Sequence, residues 1–242
     1  MKVFILAAGS GTRLSRFTEG KPKCMIKVGE KTLIRRMIER LHAHGLKDIT
    51  LVTGYRKELI HEELGDQVRY RHNPFYHVTN SIGSLWFARD LIEGDVLITN
   101  GDLFYEDKLL DAVLDEKRDV AMLSDSTRIK DADYRFRVED DRIVGYGKDI
   151  PVEKTDAEYV GMAVIKKNFI ERFNRRLGDM IDAQKADKWW EDVLYSFIPE
   201  GVPIHYRDIA GTFWAEVDYV EDFNRIMDWC AKNNPPGGPC KS

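Results

Sequence analysis

Apolar and polar positions along the first half of the chain repeat with two alternating periods. Residues 2–8 form a short continuous apolar run that ends in glycines, the mark of a buried strand. Thr32 is placed to cap a helix in which Leu33, Ile34, Met37, Ile38 and Leu41 recur at helical spacing, with Gly45 as its stop. A β-rich run over Ile49–Thr53, a helix near Lys57–Leu64 and a strand over 68–71 follow. After an irregular stretch, Ser84 opens a helix through Trp86, Phe87 and Leu91. Residues 95–99 then read as a buried strand running into Asn100-Gly101-Asp102. Strand–helix alternation of this kind builds a parallel sheet covered by helices.

The second half has a different rhythm. Segments 134–139 and 142–146 flank Asp140-Asp141, a hairpin turn. A strand over 159–165, a helix over 168–176, a helical stretch over 191–198, a strand over 203–207 and a closing helix over 219–232 follow. The predicted fold is α/β: a Rossmann-like, three-layer, mostly parallel sheet with helices on both faces and a small antiparallel portion. Residues 1–232 form one domain, and the Pro- and Gly-rich residues 233–242 form a flexible tail.

Composition narrows the picture. The chain has 242 residues, 43% hydrophobic and 32% charged, which suits one globular domain with a real core and excludes disorder. A net charge of −4 argues against nucleic acid or a membrane surface as partner, while leaving room for a small anionic ligand. No run approaches the roughly 20 apolar residues of a membrane span. The N-terminal apolar run is too short for a secretion signal and is followed by Arg13 and Arg16. Cys24, Cys230 and Cys240 are odd in number and lack metal-ligand spacing, so neither a disulfide framework nor a zinc site is expected, and a cytoplasmic location fits. His42, His44, His72 and His77 show no metal spacing, and the charged stretch 115–119 reads as a solvated helix end.

The candidate chemistry begins after the first strand, in Leu6-Ala7-Ala8-Gly9-Ser10-Gly11-Thr12-Arg13-Leu14. Glycines and small side chains there let backbone N–H groups close on an anion. A dinucleotide fingerprint fails because its third glycine position is Leu14, and a Walker loop fails because Gly20-Lys21 is followed by Pro22. Arg13 and Lys21-Pro22-Lys23 instead put several cations beside the turn, which suits a triphosphate, although an ordinary basic surface loop has the same composition. Asp102 follows a buried strand at the edge where open α/β sheets bind ligands, and could hold Mg²⁺ or cap a turn. Asp218 is the second acid; its alternative role is to cap the closing helix with Glu221, and Glu216 is a substitute ligand. Cys24 has no histidine partner and reads as a buried thiol.

The run from Leu6 to Leu14 with Lys21-Pro22-Lys23 resembles the signature of the sugar-phosphate nucleotidyltransferase superfamily. Asn73-Pro74-Phe75-Tyr76, Asn80-Ser81-Ile82-Gly83-Ser84-Leu85-Trp86 and Trp189-Trp190-Glu191-Asp192 resemble segments of bacterial cytidylyltransferases of phosphocholine type. The stretch from Arg142 to Asp149 resembles inositol-phosphate cytidylyltransferases. The resemblance implies a nucleotide-binding part over about 1–125 and an acceptor-binding part over about 126–232. It implies CTP held by Leu6, Ala7, Ala8, Gly9, Ser10, Gly11, Thr12, Asn80, Ser84 and Gly101, with Mg²⁺ on Asp102 and Asp218. Lys23, Arg13 and Lys148 would offset charge at the reacting phosphates. Tyr134, Trp189, Trp190, Glu191 and Asp192 would surround a small phosphorylated or phosphonylated acceptor; their aromatic and acidic groups suit an ammonium, and equally suit core packing. Ile82-Gly83 departs from the phosphocholine pattern. A sugar- or inositol-phosphate acceptor, another NTP, a non-catalytic nucleotide-binding module and a homodimer all stay open.

Overall fold

The computed structural model describes residues 1–11, 14 and 18–233. Thirteen strands are described: β1 (Lys2–Ala7), β2 (Lys27–Val28), β3 (Lys31–Thr32), β4 (Ile49–Thr53), β5 (Arg69–His72), β6 (Val96–Asn100), β7 (Leu103–Tyr105), β8 (Val120–Asp125), β9 (Arg135–Glu139), β10 (Arg142–Gly147), β11 (Ala157–Ile165), β12 (His205–Asp208) and β13 (Trp214–Glu216). The α-helices are α1 (Leu33–Ala43), α2 (Lys57–Leu64), α3 (Ser81–Trp86), α4 (Lys108–Leu114), α5 (Lys167–Asp182), α6 (Asp192–Tyr195) and α7 (Val220–Asn233).

Nine strands form one sheet in the order β5-β4-β1-β6-β11-β8-β12-β10-β9. The first four are parallel, β11 runs antiparallel to both β6 and β8, and β9 and β10 form an antiparallel hairpin. The sheet is therefore mixed, with a larger antiparallel share than the strand–helix alternation predicts. The hairpin turn is at Asp140 and Asp141, both with positive φ (47° and 59°), as a two-residue turn matched to strand twist requires.

The pleat of β1 assigns its side chains to two cores. Phe4 and Leu6 pack with Ile82 and Leu85 of α3 and Phe173 and Leu177 of α5, while Val3 and Ile5 pack with Ile34, Met37 and Ile38 of α1 and Ile60 of α2. Helices thus cover both faces. A third cluster, with Phe104, Ala215, Val217 and Ile226, seats α7 against the β7–β13 pair. Thr32 caps α1 as its position predicts, its hydroxyl accepting from the Arg35 N–H. α3 begins three residues before Ser84, because Asn80 caps it and accepts from the Ser81 N–H. Within 115–119, Asp115 ends α4, but Glu116 is 2% exposed and paired with Arg118. Cys24 is a free buried thiol, whereas Cys230 is disulfide-bonded, against the expectation drawn from cysteine spacing. No helix among the described residues is long and apolar enough to cross a membrane.

Candidate active site

The carboxyl ends of β1 and β6 meet at the glycine turn. The Gly101 N–H donates to the Leu6 carbonyl at 2.9 Å, and a Cβ on Gly101 would lie 2.8 Å from that of Ala7, so only glycine permits this approach. Gly11 has φ +60°, and the aliphatic stem of Lys23 crosses the space where its Cβ would stand. That crossing brings Lys23 Nζ within 2.6 Å of Asp102 Oδ2 and 2.5 Å of Asp218 Oδ1.

Asp218 reaches this point through a short ladder. β13 pairs antiparallel with β7, Glu216 opposite Leu103, and the Val217 N–H donates to the Asp102 carbonyl at 3.1 Å. The backbone is thereby fixed one residue before Asp218, and Asp222 holds the following turn by accepting from the Asp218 and Tyr219 N–H groups. Burial alone would lower the Lys23 pKa, but the charges and hydrogen bonds of Asp102 and Asp218 override it and hold the ammonium above the usual lysine value. Beside them Glu216 accepts from Asn100 Nδ2 at 3.0 Å; burial, then the charges of Asp102 and Asp218, push its carboxyl well above the usual range. Three acids thus converge around one lysine.

This cluster opens into a cleft of about 310 Å³ whose far wall is aromatic. Tyr195 stacks with Tyr146 (4.4 Å between centroids) and Tyr134 (5.6 Å), and Trp189 meets Tyr134 edge-on at 5.9 Å. Glu191, buried at the start of α6, lines the same wall, and burial pushes its carboxyl up to about 8. Tyr159 faces it from β11, which runs antiparallel to β6 with Met162 opposite Thr99, so the first residues of β11 extend past the end of β6 and over the cleft.

Leu6, Ala8, Gly9, Lys23, Asn80, Ser84, Asp102 and Asp218 line the cleft, as do Tyr134, Lys148, Trp189 and Glu191. Ala7 points into a core instead, and Gly11 and Gly101 shape the turn without lining the cavity. Ser10 is also outside the lining. Thr12 and Arg13 lie outside the described residues, as does the tail from 234 on. Lys148 stands at the aromatic end, 2.7 Å from Asp133 Oδ2 and 5.9 Å above the Trp189 ring. Two residues expected around an acceptor do other work. Trp190 is 0% exposed, its indole N–H donating to Asn100 Oδ1 at 3.1 Å, and Asp192 accepts from the Trp189 N–H outside the lining. Asn100, Tyr159 and Tyr195 also line the cleft, although the sequence assigns them no site role, because each sits in an apolar run that reads as core.

Among the described residues no group of three or more His, Cys, Asp and Glu side chains is arranged to hold a metal. Asp102 and Asp218 offer a pair of hard oxygen donors already neutralising one cation, Lys23 Nζ. That pair fits Mg²⁺, which takes one or two carboxylates and fills its other positions with phosphate oxygens and water.

Residues 2–132 match the family model described as nucleotidyl transferase. The chain is 34% identical over 92% of its length to the bifunctional protein GlmU of Methanococcus maripaludis, of which it spans about half (52%). It is 24% identical to the CTP:phosphoglutamine cytidylyltransferase of Campylobacter jejuni over 92% of this chain and 97% of that one. Among solved structures, the CTP:phosphocholine cytidylyltransferase of Streptococcus pneumoniae superposes with a TM-score of 0.73 at 22% identity, covering 94% of this chain and 98% of the other, and so shares its fold.

Proposed function

The chain belongs to the nucleotidyl transferase family, and on that premise we propose that it transfers CMP from CTP to a small phosphorylated or phosphonylated acceptor. An acceptor oxygen attacks the α-phosphorus; the new O–P bond forms as the bond to the bridging oxygen breaks, and pyrophosphate leaves with that electron pair. No covalent enzyme intermediate is needed.

One observation carries the reading: two aspartates 116 residues apart in sequence meet on Lys23 beside the glycine turn, at the mouth of a cleft. The glycine turn presents backbone to the phosphates, and Asn80 and Ser84 line the side where the base and ribose would lie. Lys23 neutralises charge that builds on the α-phosphate, the electrostatic contribution that dominates such transfers. Asp102 and Asp218 are the residues that would hold Mg²⁺, which when bound supplies charge neutralisation of phosphate oxygens. Glu216 lies beside them, its carboxyl pushed well above the usual range by burial and then by the charges of Asp102 and Asp218. Lys148, Glu191 and the aromatic wall stand where the acceptor's remaining atoms would reach.

The choice of CTP is supported by the cytidylyltransferase relative that aligns along nearly its full length. The GlmU relative favours a second reading, a sugar-phosphate acceptor with another NTP. Pyrophosphate release measured for each NTP against phosphocholine, aminoethylphosphonate, phosphoglutamine, inositol phosphate and sugar phosphates separates the two. CTP with an amine- or amide-bearing acceptor is the expected productive pair; turnover confined to UTP, GTP or dTTP with sugar phosphates overturns the CTP reading.

A further inference from the structure

Trp190 is the largest side chain buried outright among the described residues, yet its attachments lead to three sides of the cleft. Its backbone N–H donates to Ser81 Oγ at 2.9 Å, at the start of α3. The next residue, Glu191, lines the aromatic wall. Its indole N–H donates to Asn100 Oδ1 at 3.1 Å, and Asn100 ends β6 just before Gly101 and Asp102. A buried indole usually finds an acceptor, but here the acceptor is a side chain that itself lines the cleft. An indole N–H can only donate, so the amide oxygen of Asn100 faces Trp190 and its Nδ2 faces the acids. Nδ2 donates to Glu216 Oε1 at 3.0 Å, and the amide also hydrogen-bonds the Glu191 carboxyl. β11 is shaped around this amide. Its register against β8 shifts between Tyr159 and Ala163, and between them Gly161 has φ +91°, where a Cβ would come within 3.2 Å of Asn100 Nδ2.

Resting on the transfer reading above, we propose that Trp190 is a positioning residue for the reacting centre: its indole N–H fixes the Asn100 amide, which in turn holds Glu216 off Lys23. Lys23 Nζ is shared by Asp102 and Asp218 at 2.6 and 2.5 Å, and the Glu216 carboxyl lies beside all three. The Asn100 amide engages Glu216 Oε1 and leaves the lysine to the two aspartates. Without the indole, the amide loses the partner that sets its orientation, and Glu216 is released toward the nearest cation, Lys23. The ammonium is then drawn away from the aspartates and from the α-phosphate it serves. The effect falls on the transferring step, because the glycine turn and the start of α3 keep their own hydrogen bonds.

The test is a mutant cycle read as pyrophosphate release, with Mg²⁺ and the NTP–acceptor pair that the native chain turns over fastest. Trp190→Phe keeps an aromatic ring in the core and the backbone bond to Ser81 but removes the indole N–H. It should lower kcat about tenfold, the worth of one well-placed hydrogen bond, with the KM for the NTP within about twofold of native. Made in an Asn100→Ala chain, the same change should lower kcat by less than about twofold more, since the side chain it acts through is gone. A native kcat in Trp190→Phe, whatever its Tm, leaves the indole a packing group and overturns the proposal. Equal fold losses in the two backgrounds overturn it as well, because Trp190 would then act by another route. Should either variant fail to fold, Asn100→Asp carries the test: it still accepts the indole N–H but cannot donate to Glu216. Its kcat should fall about tenfold or more with the KM for the NTP unchanged, and a native kcat overturns the proposal. Each of these failures leaves the transfer reading standing. No pyrophosphate from the native chain with any NTP and acceptor overturns both.

Discussion

Lys23 is the residue on which the site is balanced. Its ammonium is shared by Asp102 and Asp218, with buried Glu216 beside them, so removing it leaves carboxylates crowded in a partly buried place without a counter-charge. Lys23→Ala is therefore expected to destabilise the protein by about 3 kcal/mol, at the lower end for a broken buried pair, and Mg²⁺ should restore much of that loss. Thermal melts of the variant with and without Mg²⁺ check this; an unchanged Tm in the absence of the ion would remove the charge-balance argument. Glu191 gives a pH signature of opposite sense to an ordinary salt-bridged acid. Its carboxyl rises from 4.5 to about 8 through burial, with Asp192 adding repulsion, so the folded chain keeps a proton that the unfolded chain has lost between those values. Its contribution is fully present below about pH 4.5 and is lost as pH rises through about 8. Urea titrations from pH 5 to 8.5 should show this decline, and Glu191→Gln should flatten it; a parallel decline in the variant would assign the slope to other groups. Neither effect is visible in sequence, where Lys23 and Glu191 appear as charged residues without known neighbours.

Among the elements, the short β7–β13 ladder does most to build the site. Three residues from each strand pair so that the Asp102 carbonyl receives the Val217 N–H, and this bond sets the distance between the two aspartates. Val217→Pro deletes that donor while keeping an apolar side chain. It should cost about 1–3 kcal/mol for the unpaired carbonyl and lower kcat far more than that loss implies, because Asp218 is displaced. Denaturation and kcat measured on the same preparation decide it; a stability loss with normal kcat would show that the ladder does not position Asp218. Strands this short carry no period to read, and their pairing spans over 100 residues, which is why β7 and β13 escaped the sequence pattern that found β1, β4, α1 and α2. The α3 start was misplaced for a related reason. Ser84 looks like a cap, yet its hydroxyl accepts from the buried Asn73 amide inside the helix while Asn80 does the capping.

At the scale of the whole molecule, the sheet joins a parallel half to an antiparallel half along β6 and β11, and the cleft opens where that change of direction carries Tyr159 beyond the end of β6. The layered α/β architecture and the glycine turn are legible in local pattern, whereas Asp102 and Asp218 are linked in the sequence only by the family resemblance, and their meeting on Lys23 depends on packing. The sequence could not separate Trp189, which lines the cleft, from Trp190, which is core and bonded to Asn100, because adjacent residues diverge only once the chain is packed. The central claim is that the meeting point of Asp102, Asp218 and Lys23 is where a nucleotide is transferred. Pyrophosphate release from CTP, with the acceptor panel and Mg²⁺ present, compared between the native chain and Asp218→Asn, tests it most directly. The account predicts Mg²⁺-dependent release by the native chain and a fall of about 100-fold or more in the folded variant; release by Asp218→Asn at the native rate would contradict it.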